Sequence, residues 1–253
     1  MERPKSHAAA SIREAFARVA ALRAARAGDA GLQEAVVSIK RLQSQRFAAT
    51  YADLLADAIY RPAARFFLEQ LYGEQDYADR DAQFARIAGS IESLFPRAVA
   101  QTAVALAELH AATEGFDHAM ALAWLAPAVA ERPSVGLRYA AAWRLVGDPA
   151  GRRQQLEEVL ALGRDLARLT RAPGLGFLLR AMRAPAAAAG LQALQQFLES
   201  GFDTFGRMGR HAGAVAHFLA TIQAREEAFL SQLFDADADT LASYLDATLG
   251  EPR

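Results

Sequence analysis

The segment DRDAQFARIAGSIESLFP, residues 79–96, decides the fold class. Its apolar side chains recur at intervals of three and four residues, which places them on one face of an α-helix. Asp79 is the predicted N-cap, and Pro96 ends the pattern because proline cannot continue a helix. The segment therefore predicts an amphipathic helix with one buried stripe. That stripe consists of Phe84, Ile87, Ala88, Ile91, Leu94 and Phe95.

The same helical spacing continues through the rest of the chain, and alternation with a period of two never persists. Asp148 followed by Pro149 is a strong start signal for a further helix. We therefore predict an all-α fold without a sheet, built as a single compact bundle of about eight to ten helices. The main predicted helices cover residues 8–27, 32–60, 79–95, 97–126, 149–170, 186–208 and 210–234, followed by a last short helix ending near Leu249.

The length and composition favour one domain. The chain has 253 residues, of which 53% are hydrophobic, enough for a sizeable core. We therefore predict a single helical domain over residues 1–253. Within it, residues 1–30 could form a peripheral N-terminal helix, and residues 235–253 read as an acidic C-terminal extension.

Charge and cysteine content exclude several classes of protein. A formal net charge of -1 does not favour binding to nucleic acid, which depends on an excess of positive charge. The absence of cysteine removes disulfides and thiolate metal sites, and a cytoplasmic location is the simplest expectation. The strongest apolar stretch, residues 119–130, is shorter than the roughly 20 residues that cross a bilayer. No membrane span is predicted.

One pattern resembles a known group of sequences. The stretch FFLEQLYG, residues 66–73, followed by Asp76, Arg80 and Asp81, is similar to a group of uncharacterised all-helical proteins of proteobacteria. Residues 106–110, 185–191, 197–202 and 222–226 look similar to that group as well. The resemblance covers most of the chain and implies a bacterial source and a single helical unit. It implies no activity and no catalytic residue.

Histidine spacing offers one candidate metal site. His110, Glu114 and His118 are four residues apart and lie along one stripe of a helix. That stripe runs from the margin of the apolar face to the opposite side, so a solvated face is favoured over a metal site. A di-iron carboxylate site needs a glutamate three residues before a histidine, and no histidine here has one. We predict no metal site.

His211 is a candidate for a different role because the predicted helix projects it beside Val215, Phe218 and Ile222. A hydrogen-bonded histidine in the core is the favoured interpretation. Spacing leaves ligation of haem by His211 open. No cofactor is predicted, although haem or another small ligand stays compatible with the sequence.

Glu226 is the most informative polar residue. It falls near the centre of a stripe that includes Leu219, Ile222 and Phe229, so its carboxylate should be buried and should have a partner. Arg80 extends the apolar stripe of its own helix and can bind a carboxylate through two hydrogen bonds. We predict a buried Arg80–Glu226 pair. It would be either a structural latch, which is favoured, or the polar floor of a ligand pocket.

The loop before Arg80 could line the mouth of such a pocket. Tyr72, Asp76 and Tyr77 supply two aromatic rings and a carboxylate there. The alternative, which is favoured, is a loop packed over the core with Tyr77 as a hydrophobic staple. His211 completes the set of pocket candidates.

No catalytic signature is present. The sequence lacks the Gly-x-Ser-x-Gly and His-Glu-x-x-His motifs of common hydrolases. The leading hypothesis is a non-enzymatic helical protein that binds a partner protein or a small apolar ligand. Small residues at 186–190 favour a homo-oligomer. The alternative is a helical enzyme or sensor with an enclosed pocket, like haem oxygenase in architecture only, which would use Arg80, His211 and Glu226.

Overall fold

The computed structural model describes residues 7–70, 73 and 77–249. These residues form helices and no strands, so the predicted all-α class is confirmed. Fourteen helices occur in the described ranges. They are α1 (Ala8–Ala27), α2 (Ala30–Thr50), α3 (Ala52–Ala56), α4 (Arg61–Gln70), α5 (Ala78–Leu94), α6 (Arg97–Leu125), α7 (Pro127–Ala130), α8 (Val135–Val146), α9 (Pro149–Leu169), α10 (Leu175–Ala181), α11 (Arg183–Ala188), α12 (Gln192–Met208), α13 (Ala214–Asp235) and α14 (Ala238–Leu249).

This number exceeds the predicted eight to ten because local breaks divide long periodic segments. The predicted helix 32–60 is interrupted at Tyr51, where φ is -114° and ψ is 25°. A second break lies within the predicted helix 186–208, where Gly190 takes a positive φ of 66° between α11 and α12. The apolar period of three and four residues continues across such breaks, so it does not reveal them.

The sequence predicted the start of α9 correctly and the start of α5 incorrectly. Asp148 caps α9 as expected, since its Oδ1 accepts a hydrogen bond of 2.8 Å from the backbone N–H of Gly151. The start of α5 was placed too late. Tyr77 precedes the helix and Asp79 lies within its first turn, where a carboxylate still interacts favourably with the helix dipole.

Helix α6 is the centre of the fold. It packs against α1, α2, α5, α8 and α9, while α12 packs against α4, α5 and α9. The first and last helices, which the sequence assigned to the periphery, belong to the packed core instead. In α1, Ile12, Ala15 and Val19 are fully buried, and in α14 Leu241 and Leu245 are buried against α8 and α2. The expectation of a peripheral N-terminal helix is therefore wrong.

Within the described ranges, no helix is both long and apolar enough to cross a membrane.

A buried carboxylate joins three helices at the middle of the fold. Glu114 on α6 is 3% exposed, so the predicted solvated face for the His110–Glu114–His118 stripe is wrong. Arg26 on α1 donates from Nη1 to Glu114 Oε2 at 2.9 Å and from Nη2 to the Glu114 carbonyl at 3.2 Å. Lys40 on α2 donates to Glu114 Oε1. The face is buried because α1 and α2 cover the side of α6 that the periodicity left polar.

Glu114→Gln should destabilise the fold at neutral pH. Burial raises the pKa of Glu114, but Lys40 and Arg26 outweigh it and hold that pKa below its ordinary value of 4.5. The ionised form is thus favoured by folding, so its contribution is full above pH 4.5 and is lost as the pH falls through the lowered pKa. We expect Glu114→Gln to lower the free energy of unfolding by about 3 kcal/mol at pH 7. Urea denaturation at pH 7 and near pH 3 measures this.

Glu108→Gln is the matched control on the same helix. Glu108 pairs with Arg18 at the surface, where solvent screens the charges, so its loss should have a much smaller effect. Equal destabilisation by the two substitutions, or a Glu114→Gln effect that does not shrink at acid pH, would contradict the assigned role of Glu114.

Candidate functional site

The predicted pair of Arg80 and Glu226 is wrong, because each side chain has a different partner. Glu226 Oε1 on α13 accepts from Arg46 Nη1 on α2 at 2.6 Å and from the Tyr51 hydroxyl at 2.7 Å. The Arg46 guanidinium also lies 4.4 Å from the centre of the Phe229 ring. The prediction that Glu226 needs a cationic partner holds, but periodicity along one helix does not specify which helix supplies that partner.

Arg80 is buried as predicted but belongs to a second polar cluster. Its guanidinium lies between two aromatic rings, 4.1 Å from the centre of Tyr77 and 4.6 Å from that of Phe197. Nη1 donates to the Gln70 carbonyl at 3.1 Å, and Nη2 lies 3.5 Å from Asp81 Oδ1. Stacking on two rings and a hydrogen bond to the backbone satisfy this guanidinium without Glu226.

Asp81 is the centre of that cluster. Its Oδ2 accepts from Arg23 Nη2 on α1 at 2.6 Å and lies 2.8 Å from His110 Nε2 on α6. Burial raises the pKa of Asp81, but His110, Arg23 and Arg80 outweigh it, so that pKa lies below the ordinary value. The cluster is a charged link between α1, α5 and α6, and its polar groups are already used in holding these helices together.

Of the remaining pocket candidates, the two that the structure describes, Tyr77 and His211, do not lie at Glu226. Tyr72 and Asp76 lie outside the described residues. Tyr77 is buried, and its hydroxyl donates to the Glu69 carbonyl at 2.7 Å. His211 is exposed in the turn before α13, which begins only at Ala214. The predicted helical projection of His211 into the core is therefore wrong.

A small interior space, here called the polar chamber, surrounds the Arg46–Glu226 pair. It has a volume of about 60 Å³, which is room for a few water molecules. Side chains from α2, α6, α8, α9 and α13 contribute to its wall. Its polar lining comprises Gln43, Arg46, Tyr51, Thr113, Asp117, Tyr139, Trp143, Arg152, Gln155 and Glu226.

Asp117 is one of several chamber residues with a buried polar atom that makes no hydrogen bond within the described part of the chain. It is 3% exposed, and its Oδ1 has no hydrogen-bond partner among the described residues. Burial raises the pKa of Asp117 above its ordinary value, with Lys40 and Arg152 acting in the opposite direction. A buried polar atom of this kind is normally satisfied by ordered water or by a ligand.

A second and larger space is almost wholly apolar. This apolar cavity has a volume of about 290 Å³ and lies between α4, α5, α6, α9 and α12, with α10 and α11 covering it from outside. Leucine and phenylalanine side chains dominate its wall. Its lining residues include Phe84, Ala103, Leu106, Leu166, Leu179, Leu194, Phe197 and Phe202.

The outer wall of this cavity is thin. Helix α10 contains no buried residue, and Ala186 is the buried residue of α11. Leu175 and Leu179 of α10 nevertheless line the cavity, while Phe177 on the other side of that helix is 77% exposed. Short helices with few buried residues open at low free energy, so this wall should be the most easily opened part of the cavity lining.

The family described as "Domain of unknown function (DUF8198)" matches residues 22–240. The chain belongs to this family. The predicted membership of an uncharacterised family is thereby confirmed, and the matched range contains every residue lining the polar chamber and the apolar cavity. Neither the curated proteins nor the solved structures gave a match.

The chamber residues of this DUF8198 member were mostly missed from the sequence. Gln43 and Arg46 interrupt the apolar stripe of Ile39 and Phe47 at helical spacing, which is the signal that identified Glu226. Arg152 is a further chamber residue, and its guanidinium lies 4.0 Å from the centre of the Trp143 ring inside the fold. Polar residues at helical spacing within an apolar stripe are thus the sequence signal that could have identified the chamber residues.

Asp117→Asn should stabilise the protein at neutral pH. A raised pKa means that folding favours the protonated carboxyl, so stability is lost as the pH rises above the ordinary aspartate value of 3.8. The amide removes that ionisation, and we expect the melting temperature at pH 7 to rise by a few degrees, about 2–4 °C per kcal/mol. Calorimetry at pH 7 and pH 4 measures the change.

The pH dependence is the internal control for Asp117→Asn. The advantage of the variant should shrink at pH 4, because close to the ordinary pKa of 3.8 it costs little free energy to keep the buried wild-type carboxyl protonated. A variant that melts below the wild type at pH 7 would show that the Asp117 carboxylate is a stabilising partner within the chamber.

Proposed function

We propose that this protein binds a small apolar ligand in the apolar cavity. The observation that carries the proposal is the combination of volume and lining: about 290 Å³ bounded almost entirely by hydrocarbon. An apolar cavity of roughly 150 Å³ already binds benzene. The space here is therefore large enough for a bicyclic molecule or a medium-length alkyl chain.

The polar groups at the cavity wall favour an apolar occupant. The Thr102 hydroxyl donates to the Ala98 carbonyl at 3.0 Å, and Gln195 Nε2 donates to the Leu179 carbonyl at 2.6 Å. These groups are satisfied by the protein itself and offer little to a polar ligand. Recognition would depend on shape and on the hydrophobic effect, at about 0.8 kcal/mol for each buried methylene group.

Packing energetics support occupancy of the cavity. Protein interiors are close-packed, and residual cavities destabilise a fold by roughly 24 cal/mol per Å³. For a space of this size the penalty is several kcal/mol, which is a large part of an ordinary folding free energy of about 5–15 kcal/mol. A ligand that fills the space recovers contacts that the side chains leave unmade.

Ala103→Phe tests this proposal directly. Ala103 on α6 lines the cavity, so a phenyl ring at this position should occupy part of the space. We expect the dissociation constant of the fluorescent probe N-phenyl-1-naphthylamine to rise about tenfold, equivalent to losing roughly two buried methylene groups. Fluorescence titration of the wild type and the variant measures this change.

Ala105→Phe is the matched control, because Ala105 lies on the same helix and is exposed. It should bind the probe as the wild type does. Failure of the wild type to bind the probe would contradict the proposal, as would an equal loss in both variants. Circular dichroism verifies that both variants keep their helical content.

A second candidate function is that of an enzyme or sensor with an enclosed polar site. Asp117 Oδ1 in the polar chamber favours it, because this buried atom has no hydrogen-bond partner among the residues that the structure describes. This version of the enclosed-pocket hypothesis would use Asp117 and Glu226, since Arg80 belongs to the Asp81 cluster and His211 is exposed. A small polar molecule retained by the purified protein, detected by mass spectrometry, would favour it over the apolar ligand.

Self-association remains a prediction. Of the small residues that motivated it, Ala186 is buried and Ala187–Gly190 are exposed. Light scattering at increasing concentration separates a monomer from a homo-oligomer.

A further inference from the structure

A groove rich in arginine adjoins the apolar cavity. Among the described residues, its wall includes four arginines, namely Arg171, Arg180, Arg207 and Arg210, and a single acidic residue, Asp203. Asp203 Oδ1 lies 3.7 Å from Arg180 Nη1, and both side chains are about half exposed. In the described part of the chain, this is the only ion pair that the four arginines make within 4.0 Å. The groove therefore carries excess positive charge, although the formal net charge of the whole chain is -1.

Three helices connect the groove to the cavity. On α12, Phe202 lines both spaces. On α10, Leu179 faces the cavity and the next residue, Arg180, faces the groove. The end of α9 repeats this arrangement, with Leu169 on the cavity side and Arg171 on the groove side. An apolar space and a cationic surface are thus adjacent, separated by a boundary one or two residues wide.

This juxtaposition matches a ligand with two chemically different ends. A guanidinium binds a carboxylate or phosphate through two parallel hydrogen bonds, and several arginines around one groove raise the local concentration of anions. An alkyl chain bound in the cavity would leave a polar head at the boundary beside Phe202. A neutral or cationic head would gain nothing from the arginines.

We propose that the ligand is a single-chain amphiphile with an anionic oxygen headgroup, whose tail fills the apolar cavity and whose head contacts Arg207 and Arg210 in the groove. This inference rests on the proposed function, since it assigns the class of ligand for the same cavity. The tail provides most of the affinity, and the groove selects the charge of the head.

Calorimetric titration of the full chain with decanoate and with 1-decanol tests the charge selection. The double substitution Arg207→Gln/Arg210→Gln should raise the dissociation constant of decanoate about fivefold at low ionic strength, as expected for two exposed ion pairs. The same variant should bind 1-decanol as the wild type does. Raising the salt concentration should reduce the difference, because exposed charges are screened.

Two controls isolate the groove and the cavity. Arg153→Gln/Arg164→Gln removes the same total charge from exposed positions on α9 outside the groove, and should leave decanoate binding unchanged. Ala103→Phe should weaken both decanoate and 1-decanol. Acetate, which has the head without the tail, should not bind at the concentrations that saturate with decanoate.

Failure of the inference is distinguishable from failure of the proposed function. If 1-decanol and decanoate bind and the groove variant weakens neither, the cavity is a ligand site and the anionic head is refuted. If the two charge variants weaken decanoate equally, the attraction is general and the groove assignment is overturned. If neither ligand binds the wild type, the cavity function itself is refuted.

Discussion

The buried carboxylate of Glu114 is the interaction on which the rest of this structure depends. It lies on the central helix α6 and accepts hydrogen bonds from Arg26 of α1 and Lys40 of α2. A buried carboxylate without partners would be strongly destabilising, so the packing of three helices is tied to one geometry. One helical turn away, His110 lies beside Asp81 and adds α5 to the same framework.

The first part of α6 has the opposite character. Ala103 and Leu106 border the apolar cavity, while Thr113 and Asp117 further along the helix border the polar chamber. A small, mainly apolar space beside Asp81 lies between the two and shares Leu106 with the cavity and Thr113 with the chamber. The ion pairs in the half of α6 around Glu114 hold the surrounding helices in place. The half around Ala103 and Leu106 can therefore border an unfilled cavity without the helices closing over it. A stable framework next to an underpacked region is what a ligand site requires.

The fold was predictable because helical periodicity is a local property. The buried stripe of α5 and the Asp148 cap of α9 are visible within a few residues of sequence. Tertiary partners are not local. The sequence indicated that Glu226 needs a cation and could not distinguish Arg46 on α2 from Arg80 on α5. Glu114 was misassigned for a related reason, since its burial arises from other helices that cover a polar face of α6. The cavity was invisible because it is space left between seven helices.

The DUF8198 family is described as a domain of unknown function, so the function of this chain has to be tested at the apolar cavity itself. The most direct measurement is isotope-edited NMR with labelled leucine methyl groups and N-phenyl-1-naphthylamine as the ligand. Binding in the apolar cavity predicts intermolecular nuclear Overhauser effects from the probe to Leu166, Leu179 and Leu194. Effects confined to the exposed Leu122, Leu125 and Leu145 would place the probe on the surface and contradict the account.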